Sequence, residues 1–491
     1  MVHLIFPTQL FHQTNYINST QKIYLIEEPR FFCDFSFHKL KLAYHRATMK
    51  KYYDTLIKKK FNVVYVEFNK VTNHFYTELN EKYESITITS IGDLKLEKKI
   101  KNIFQKKLII LDNINWLIKL DELNIIKKYI YKNNKYSHEN FYKYQRKKLD
   151  ILIDSFDKPV GGKWSYDSAN RLPLPKNHII PKTVSKSINN KYIKEAINYV
   201  NKHFAENYGS LDNFIYPIDT RGALNWLNKF LKERLKYFGP YEDAVKESEP
   251  FVYHSVLSPM MNIGILTDTQ VVKISYDFYL THKKTITIES FEGFIRQVIG
   301  WRNYVYVIYM LDGDKLYKSN YLNHHNKLNN KFWSGDTGIK PIDSIINKIV
   351  AYAYAHHIER LMYLGNFMLL CQIHPQEVFR IFMEWSIDSY EWVMIPNVFG
   401  MSQFAHNSLM MTRPYFSSSN YINKMSSFKK DGQWNVIWDA LYYNFINKHK
   451  NIFKHNYAIA QQVNNWNKKT DKEQKTIKHI AQQYIKNLLS L

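Results

Sequence analysis

Cysteine is almost absent from this chain, with only Cys33 and Cys371 among 491 residues. Far apart and in unrelated contexts, the two supply neither a disulfide framework nor a CxxC metal knuckle, and they fit a reducing, intracellular, cytoplasmic setting. Long apolar runs are missing as well. No segment approaches the roughly 20 residues of a transmembrane helix, and the opening MVHLIFPTQLF lacks the basic start and long apolar core of a secretory signal, so no membrane partner is expected. The longest apolar stretch, Leu361 to Ile373, reads as a helix buried on all sides. Glycine is sparse, at 15 residues. Neither GxGxxG nor GxxxxGKS/T follows any strand-like run, which excludes the usual glycine-rich phosphate cradles while leaving other modes of nucleotide binding open. Acidic residues are outnumbered by 68 Lys and Arg to 44 Asp and Glu, a formal charge of +24. That excess suits a polyanion bound through phosphate neutralisation. Lys, Asn, Ile and Tyr are abundant everywhere, however, and codon composition explains part of the same charge.

What is present is apolar and rich in rings, 45% hydrophobic and 16% aromatic, in a chain long enough for two or three domains. Up to residue 116, short β-branched runs alternate with helical pattern: LIF near Leu4, IYLIEE from Ile23, NVVYVEF from Asn62, SITIT from Ser85 and KKLIIL from Lys106. This rhythm predicts a Rossmann-like α/β domain with a parallel sheet. Leu42, Met49 and Leu56 recur at sevens and predict an amphipathic crossover helix with basic residues on its other faces. Residues 117–201 are polar and broken by KPVGGKWSYD and RLPLPKNHIIPK, the pattern of a long ordered connector. From 202 to 491 helical periodicity dominates, and the basic tail from Asn464 reads as a surface helix.

Four stretches carry candidate chemistry. In HSVLSPMMNIGIL, Ser255 and Ser258 precede a helical run containing Asn262, an arrangement able to hold a diphosphate; an ordinary helix cap accounts for the same residues. In AHHIERLMYLGNF, His356 and His357 stand four and three residues before Arg360, so each imidazole lies near the guanidinium. Adjacent histidines point about 100° apart and serve different neighbours; a core polar network competes with a catalytic site, and zinc is disfavoured without cysteines or HExxH spacing. SIDSYEWVMIPNVFGMSQFAHN places Asp388, Trp392 and Asn397 around a proline, which suits stacking on a planar ring and suits a packed core equally. RPYFSSSNYINKMS, with Arg413, Tyr415 and Tyr421, has the composition of a phosphate-contacting, base-stacking loop, and also that of a plain polar surface loop.

Taken in order, these stretches resemble the deoxyribodipyrimidine photolyase-related family, the prokaryotic (6-4) photolyase or iron-sulfur bacterial cryptochrome branch of the cryptochrome/photolyase superfamily. The resemblance begins with FPTQLF and HKLKLAYHRATMKKYYDTL, and continues through FYKYQRKKLDILI, KPVGGKWSYDSANR and FEGFIRQVIGWRNY to SSSNYINKMS. Only the region from about Thr72 to Asn133 looks unlike it. The resemblance implies a Rossmann-like antenna domain followed by a large all-α FAD-binding domain, acting as a monomer. It also implies light-driven repair of UV-damaged DNA, with an electron passed from reduced FAD to a flipped-out lesion. A (6-4) photoproduct is the expected lesion because the paired histidines suit proton transfer. A cyclobutane-dimer photolyase, a cryptochrome-like photoreceptor without repair and a flavin-free DNA-binding protein are the alternatives.

Transferred by position, His254, Ser255, Leu257, Ser258 and Asn262 would line the flavin diphosphate or ribityl chain, and Asp388 and Asn397 the isoalloxazine. Trp301 would border the same pocket against the cofactor, with Gln297 and Arg302 beside it toward the substrate. His356, His357 and Arg360 would form the catalytic group at the lesion, and Arg413, Tyr415 and Tyr421 would contact DNA. Gln9 and Glu27 would hold a ribityl-lumazine antenna, although Thr8 replaces the usual acidic residue before that glutamine. The four cluster thiolates of the family correspond to Pro341 and to FKKDGQWNVIWDALYYNF, which has no cysteine, so no iron-sulfur cluster and no other metal is expected. Trp434 and Trp438 are expected to fill that space. Ile381 and Phe382 stand where an electron-relaying Trp and Tyr usually do, Trp333 is retained, and Trp385 is the expected substitute relay. Met394 stands where an acidic residue often faces the flavin.

Overall fold

The computed structural model describes residues 1–18, 20–182 and 189–490. The five runs read as strands are strands, β1 (Val2–Ile5), β2 (Lys22–Ile26), β3 (Val63–Val66), β4 (Ile86–Thr89) and β5 (Leu108–Leu111). They form one parallel sheet in the order β3-β2-β1-β4-β5. Central β1 and β4 are buried at every position, whereas edge strand β5 keeps Ile109 exposed. Sheets covered on both faces give such unalternating apolar runs.

The crossover helix α1 (Lys39–Lys58) follows the sequence pattern, but part of its basic surface is buried. Lys41, His45 and Arg46 are buried because α1 lies between the sheet and the helical body. Lys41 Nζ donates to Ser389 O at 2.5 Å, the His38 amide donates to Glu384 O at 2.8 Å, and His45 Nε2 meets Tyr390 OH at 3.2 Å. Burial pushes the Lys41 ammonium down to about 7. The first domain thereby braces the segment 384–390 that carries Asp388.

Residues 117–201 are more structured than a connector. They contain helices Leu123–Ile130 and His138–Lys148, a short hairpin between them, and helix Lys191–His203, which packs on α1. Lys and Asn hid these elements because only narrow stripes are buried, such as Ile193, Ala196 and Val200. From Thr220 onward the chain is helical to Leu489. The segment after Arg360 is buried on all sides, as read, and the tail forms helices Ala460–Asn467 and Asp471–Leu489, the second packed on Trp434–Phe453. Trp434 and Trp438 are buried with their indole N–H groups donating to Lys429 O and Ser417 O at 2.9 Å, and Trp438 stacks near Phe367 at 6.0 Å. Pro341 is buried in the first turn of helix Lys340–Tyr352. Cys371 is buried, its thiol pushed up by desolvation, while Cys33 is exposed. Among the described residues no helix is long and apolar enough to cross a membrane, and no group of three or more His, Cys, Asp or Glu is placed to hold a metal ion.

Candidate active site

One deep cavity in the helical body has about 1400 Å³ of unfilled space, counting its open mouth. Its wall is drawn from the 238–262 region, from the ends of two long helices, and from the segment 354–402. Three stretches of widened helix, Arg296–Arg302, Glu359–Gly365 and Pro396–Ser402, follow the i→i+5 pattern and all border this cavity. Such turns are rare and cluster at functional sites. The first contributes Gln297, Val298, Trp301 and Arg302, the second Arg360 and Leu361, the third Asn397, Val398, Met401 and Ser402. The last two meet at Gly365, where a Cβ would lie 2.8 Å from Arg360 O and 3.0 Å from Ser402 Cβ, so only glycine permits this approach.

The HSVLSP segment enters the cavity in a strained conformation. Val256 lies between Ser255 and Leu257 with φ of +53°, a left-handed geometry that a β-branched residue rarely adopts. Trp226 Nε1 fixes the turn by donating to Ser255 O at 2.8 Å. Helix Ser258–Asn262 follows, and both of its polar ends reach one carboxylate segment: Ser258 Oγ donates to Asp388 Oδ2 at 2.5 Å and Asn262 Nδ2 to Asp388 O at 2.8 Å. Arg360 Nη2 completes the group by donating to Asp388 Oδ1 at 2.8 Å, while its Nε donates to Ala355 O at 2.6 Å. The Asp388 carboxylate raises the Arg360 guanidinium further, so the pair is ionic.

The expected catalytic group therefore divides. Arg360 borders the cavity but is committed to Asp388, which makes it a positioning residue. His357 opens onto the cavity, and enclosure together with Arg360 lowers its pKa to about 4, a shift felt in full when a ligand displaces its water. His356 does not line the cavity, contrary to the sequence reading. It is fully buried with neither ring nitrogen bonded, lies 4.3 Å from the parallel ring of His254, and keeps Glu359 Oε2 3.6 Å away. His356 precedes the helical turn that begins at His357, and of the two imidazoles only that of His357 reaches the cavity. His254 is on the wall, its Nε2 2.9 Å from Glu242 O.

The remaining assigned residues separate in the same way. Ser255, Leu257, Ser258, Asn262, Trp301, Asp388, Asn397 and Gln297 all border the cavity. Arg302 does too, but it is spent: Nε donates to Asp268 at 2.7 Å, Nη1 bonds Asn262, and the plane sits over Trp116 and Trp392. Asn397 Nδ2 is turned back to Val393 O at 2.7 Å, leaving its amide oxygen toward the space. Trp301 stacks on His138 with centroids 3.8 Å apart. Met394 and Phe382 are on the wall; Trp385 is not, being buried with its indole N–H unpaired and its ring 6.0 Å from Phe382. Half-buried Trp333 donates to Glu384 Oε2 at 3.2 Å under the Arg380 guanidinium. Arg413, Tyr415 and Tyr421 are outside the wall, Arg413 exposed and the two tyrosines half-buried within the field of Asp243 and Arg171. Wall residues not singled out in the sequence include Phe238, Glu242, Phe294 and Tyr354, of which Phe294 lies within FEGFIRQVIGWRNY.

The cavity's donor set fits a dinucleotide cofactor: hydroxyls and amides from Ser255, Ser258, Asn262 and Asn397, one ion pair, and apolar walls from Leu257, Val298, Leu361 and Met394. The first domain does not fit an antenna chromophore in the expected way. Glu27 accepts four hydrogen bonds, from Arg46 Nη1 at 2.9 Å, Tyr65 OH at 2.5 Å, Tyr199 OH at 2.8 Å and the Phe68 amide at 3.1 Å. Gln9 uses both ends of its amide, accepting from the Phe6 amide and donating to Thr89 O. Neither side chain presents a free group, and Thr8 is buried with its hydroxyl unpaired.

Comparison with known proteins agrees with this architecture. The family model for deoxyribodipyrimidine photo-lyase-related proteins matches residues 3–216. A (6-4) photolyase of Agrobacterium fabrum is 35% identical over 359 residues, 71% of this chain and 70% of that protein. The crystal structure of a bacterial class III photolyase from Agrobacterium tumefaciens superposes with a TM-score of 0.59 at 14% identity, covering 99% of this chain and 97% of its own. An archaeal photolyase from Sulfolobus tokodaii, solved with two FAD molecules, has a TM-score of 0.55 at 13% identity over 92% of this chain and 99% of its own. A sheet-bearing first domain, a large helical body around one cavity and an identity of this extent lead to one conclusion: the chain belongs to the deoxyribodipyrimidine photolyase-related family and has the photolyase/cryptochrome fold.

Proposed function

We propose that the protein is a light-driven DNA repair lyase that holds FAD in its central cavity and acts on UV pyrimidine lesions, (6-4) photoproducts foremost. The observation carrying this reading is one cavity whose wall joins the Arg360–Asp388 pair to His357 and Gln297, side chains placed to meet a second ligand. Bound there, reduced FAD supplies on light absorption the electron that reaches the lesion. Everything else falls to the chain. Ser255, Ser258 and Asn262 offer polar groups suited to a diphosphate and a sugar chain, and Val298, Leu361, Phe382 and Met394 keep water from the ring. Arg360 and Asp388, each fixed by further bonds, hold the floor in place without a rotamer change. His357, neutral at pH 7 once its water is displaced, presents one donor and one acceptor nitrogen to a flipped-out base.

A formal charge of +24 supports DNA as the partner, and the similarity to a (6-4) photolyase supports that lesion. The test is illumination of the reduced, flavin-loaded protein with oligonucleotides carrying either lesion, followed by chromatography of the products. Restoration of the bases at the (6-4) site is expected. A second reading, a photoreceptor without repair, rests on Phe382 and Met394 occupying wall positions where the family has relay and acidic side chains. Flavin that responds to light while neither lesion is repaired would favour it.

A further inference from the structure

Two acidic residues, Glu242 and Asp388, border the cavity, and their carboxyl groups are held very differently. Asp388 is locked by Arg360, Ser258 and its own backbone contacts. Glu242 has one good partner, the Asn170 amide, which donates to Oε2 at 3.1 Å; the nearest cation, Arg296 Nη2, stays 3.8 Å away. Asn170 reaches this place because residue 293 is glycine: a Cβ there would lie 2.5 Å from Asn170 Nδ2. Glu242 follows helix Leu235–Tyr241, and its carbonyl oxygen bonds His254 on the same wall.

The charges around Glu242 do not balance. Asp167 and Arg171 face it from the loop carrying Asn170, Glu292 and Arg296 from the helix opposite, and Asp243 from its own chain. With Glu242, that makes four carboxyls sharing two guanidiniums, and Arg296 divides itself between Asp167 at 3.2 Å, Glu292 at 3.3 Å and Glu242. Buried like charges cannot all ionise, so of the poorly paired groups the one most withdrawn from water keeps a proton. Burial in fact raises Glu242 to about 8 and Asp243 to about 6. Both cavity histidines are lowered: His357 to about 4, and His254 well below its usual value. At neutral pH the cavity wall thus offers a carboxylic acid with a proton to give and imidazoles without an extra one.

We infer that Glu242 is the proton donor to the bound lesion, a role resting on the proposed repair function. Once one electron has reached the lesion, the Glu242 O–H transfers its proton to a lesion oxygen or nitrogen, leaving a carboxylate beside Arg296. When the hydroxyl or amino group on C5 of the 5′ base has passed back to C4 of the 3′ base and the C6–C4 bond joining the two has broken, the electron returns to the flavin and the proton to Glu242, so the net change is isomerisation of the two bases alone. His357 orients the lesion through its neutral ring and can pass the proton on.

Glu242→Gln and Glu242→Asp in the full-length, FAD-loaded protein test this. Repair per absorbed photon is expected to fall at least about tenfold in Glu242→Gln, with partial recovery in Glu242→Asp and unchanged flavin content and lesion-DNA affinity. The wild type should lose about tenfold in yield per pH unit above about 8, a limb missing from Glu242→Gln. Infrared spectra should carry a protonated-carboxyl band at pH 7 that Glu242→Gln abolishes. Undiminished repair in Glu242→Gln, or repair by a wild type lacking that band, overturns the assignment. A band without repair of either lesion refutes the functional reading instead, and the donor role falls with it.

Discussion

The ring of His254 lies parallel to that of His356, 12° from coplanar at a centroid distance of 4.3 Å, and only the first of the two touches the cavity. A stacked pair of imidazoles in a dry interior repels protons twice over, through desolvation and through mutual repulsion. The two histidines of the sequence motif should then fail differently when replaced. His357→Asn is expected to keep flavin and thermal stability while losing most repair, whereas His356→Ala should lower stability by about 2 kcal/mol or more through the cavity it leaves. Thermal unfolding and repair assays on both variants measure the split; equal stability would show that His356 is not a packing element.

Acid should unfold this protein early. His38 is lowered to about 4, and His45 and His138 to about 3, all by burial. The unfolded chain protonates these rings near pH 6.5 while the native state does not, so the stability they leave intact above 6.5 is lost as pH falls toward the native values. Each group costs up to about 1.4 kcal/mol per pH unit in that window. Urea midpoints should therefore drop steeply between pH 6.5 and 4, and a flat profile there would contradict the buried, neutral assignment.

Asp388→Asn removes the carboxylate bonded to Arg360 and strands its guanidinium, at about 3–5 kcal/mol. The site rather than the whole fold should suffer first, because Lys41 and Glu384 still hold the segment to α1. Purified Asp388→Asn is expected to be pale, with flavin absorbance per protein well below wild type. Full flavin content would mean that the ion pair does not shape the floor.

Trp385 lies behind the cavity wall, its ring 6.0 Å from that of the wall residue Phe382. If it relays electrons, Trp385→Phe should slow photoreduction of oxidised flavin several-fold, measured under steady illumination with a thiol donor. A wild-type rate would assign the relay elsewhere.

Ribityl-lumazine added to the protein should keep the fluorescence anisotropy of the free compound and give no sensitised flavin signal, because Arg46, Tyr65 and Tyr199 already saturate Glu27. Energy transfer on addition would show that this network opens.

The chain order of β-branched runs, the sevens of α1 and the serine-rich entry to helix Ser258–Asn262 were legible in the sequence. Each depends on interactions within a dozen residues, where periodicity and capping express themselves directly. Local pattern also singled out Ser255, Ser258, Asn262, His357, Arg360, Asp388, Trp392 and Asn397 on the cavity wall, and the family resemblance added Gln297, Trp301 and Arg302. It could not tell which of two adjacent histidines faces the ligand, that Arg302 is consumed by Asp268 and Asn262, or that Lys41 is buried. Those outcomes depend on which distant element packs against each side chain, and so does the protonation of Glu242, raised by burial and by Asp243 and Asp167 against the opposing pull of Arg296. Sequence spacing set the elements and their chemistry; desolvation and charge balance, which exist only once the elements are packed, decided which groups are left free to react.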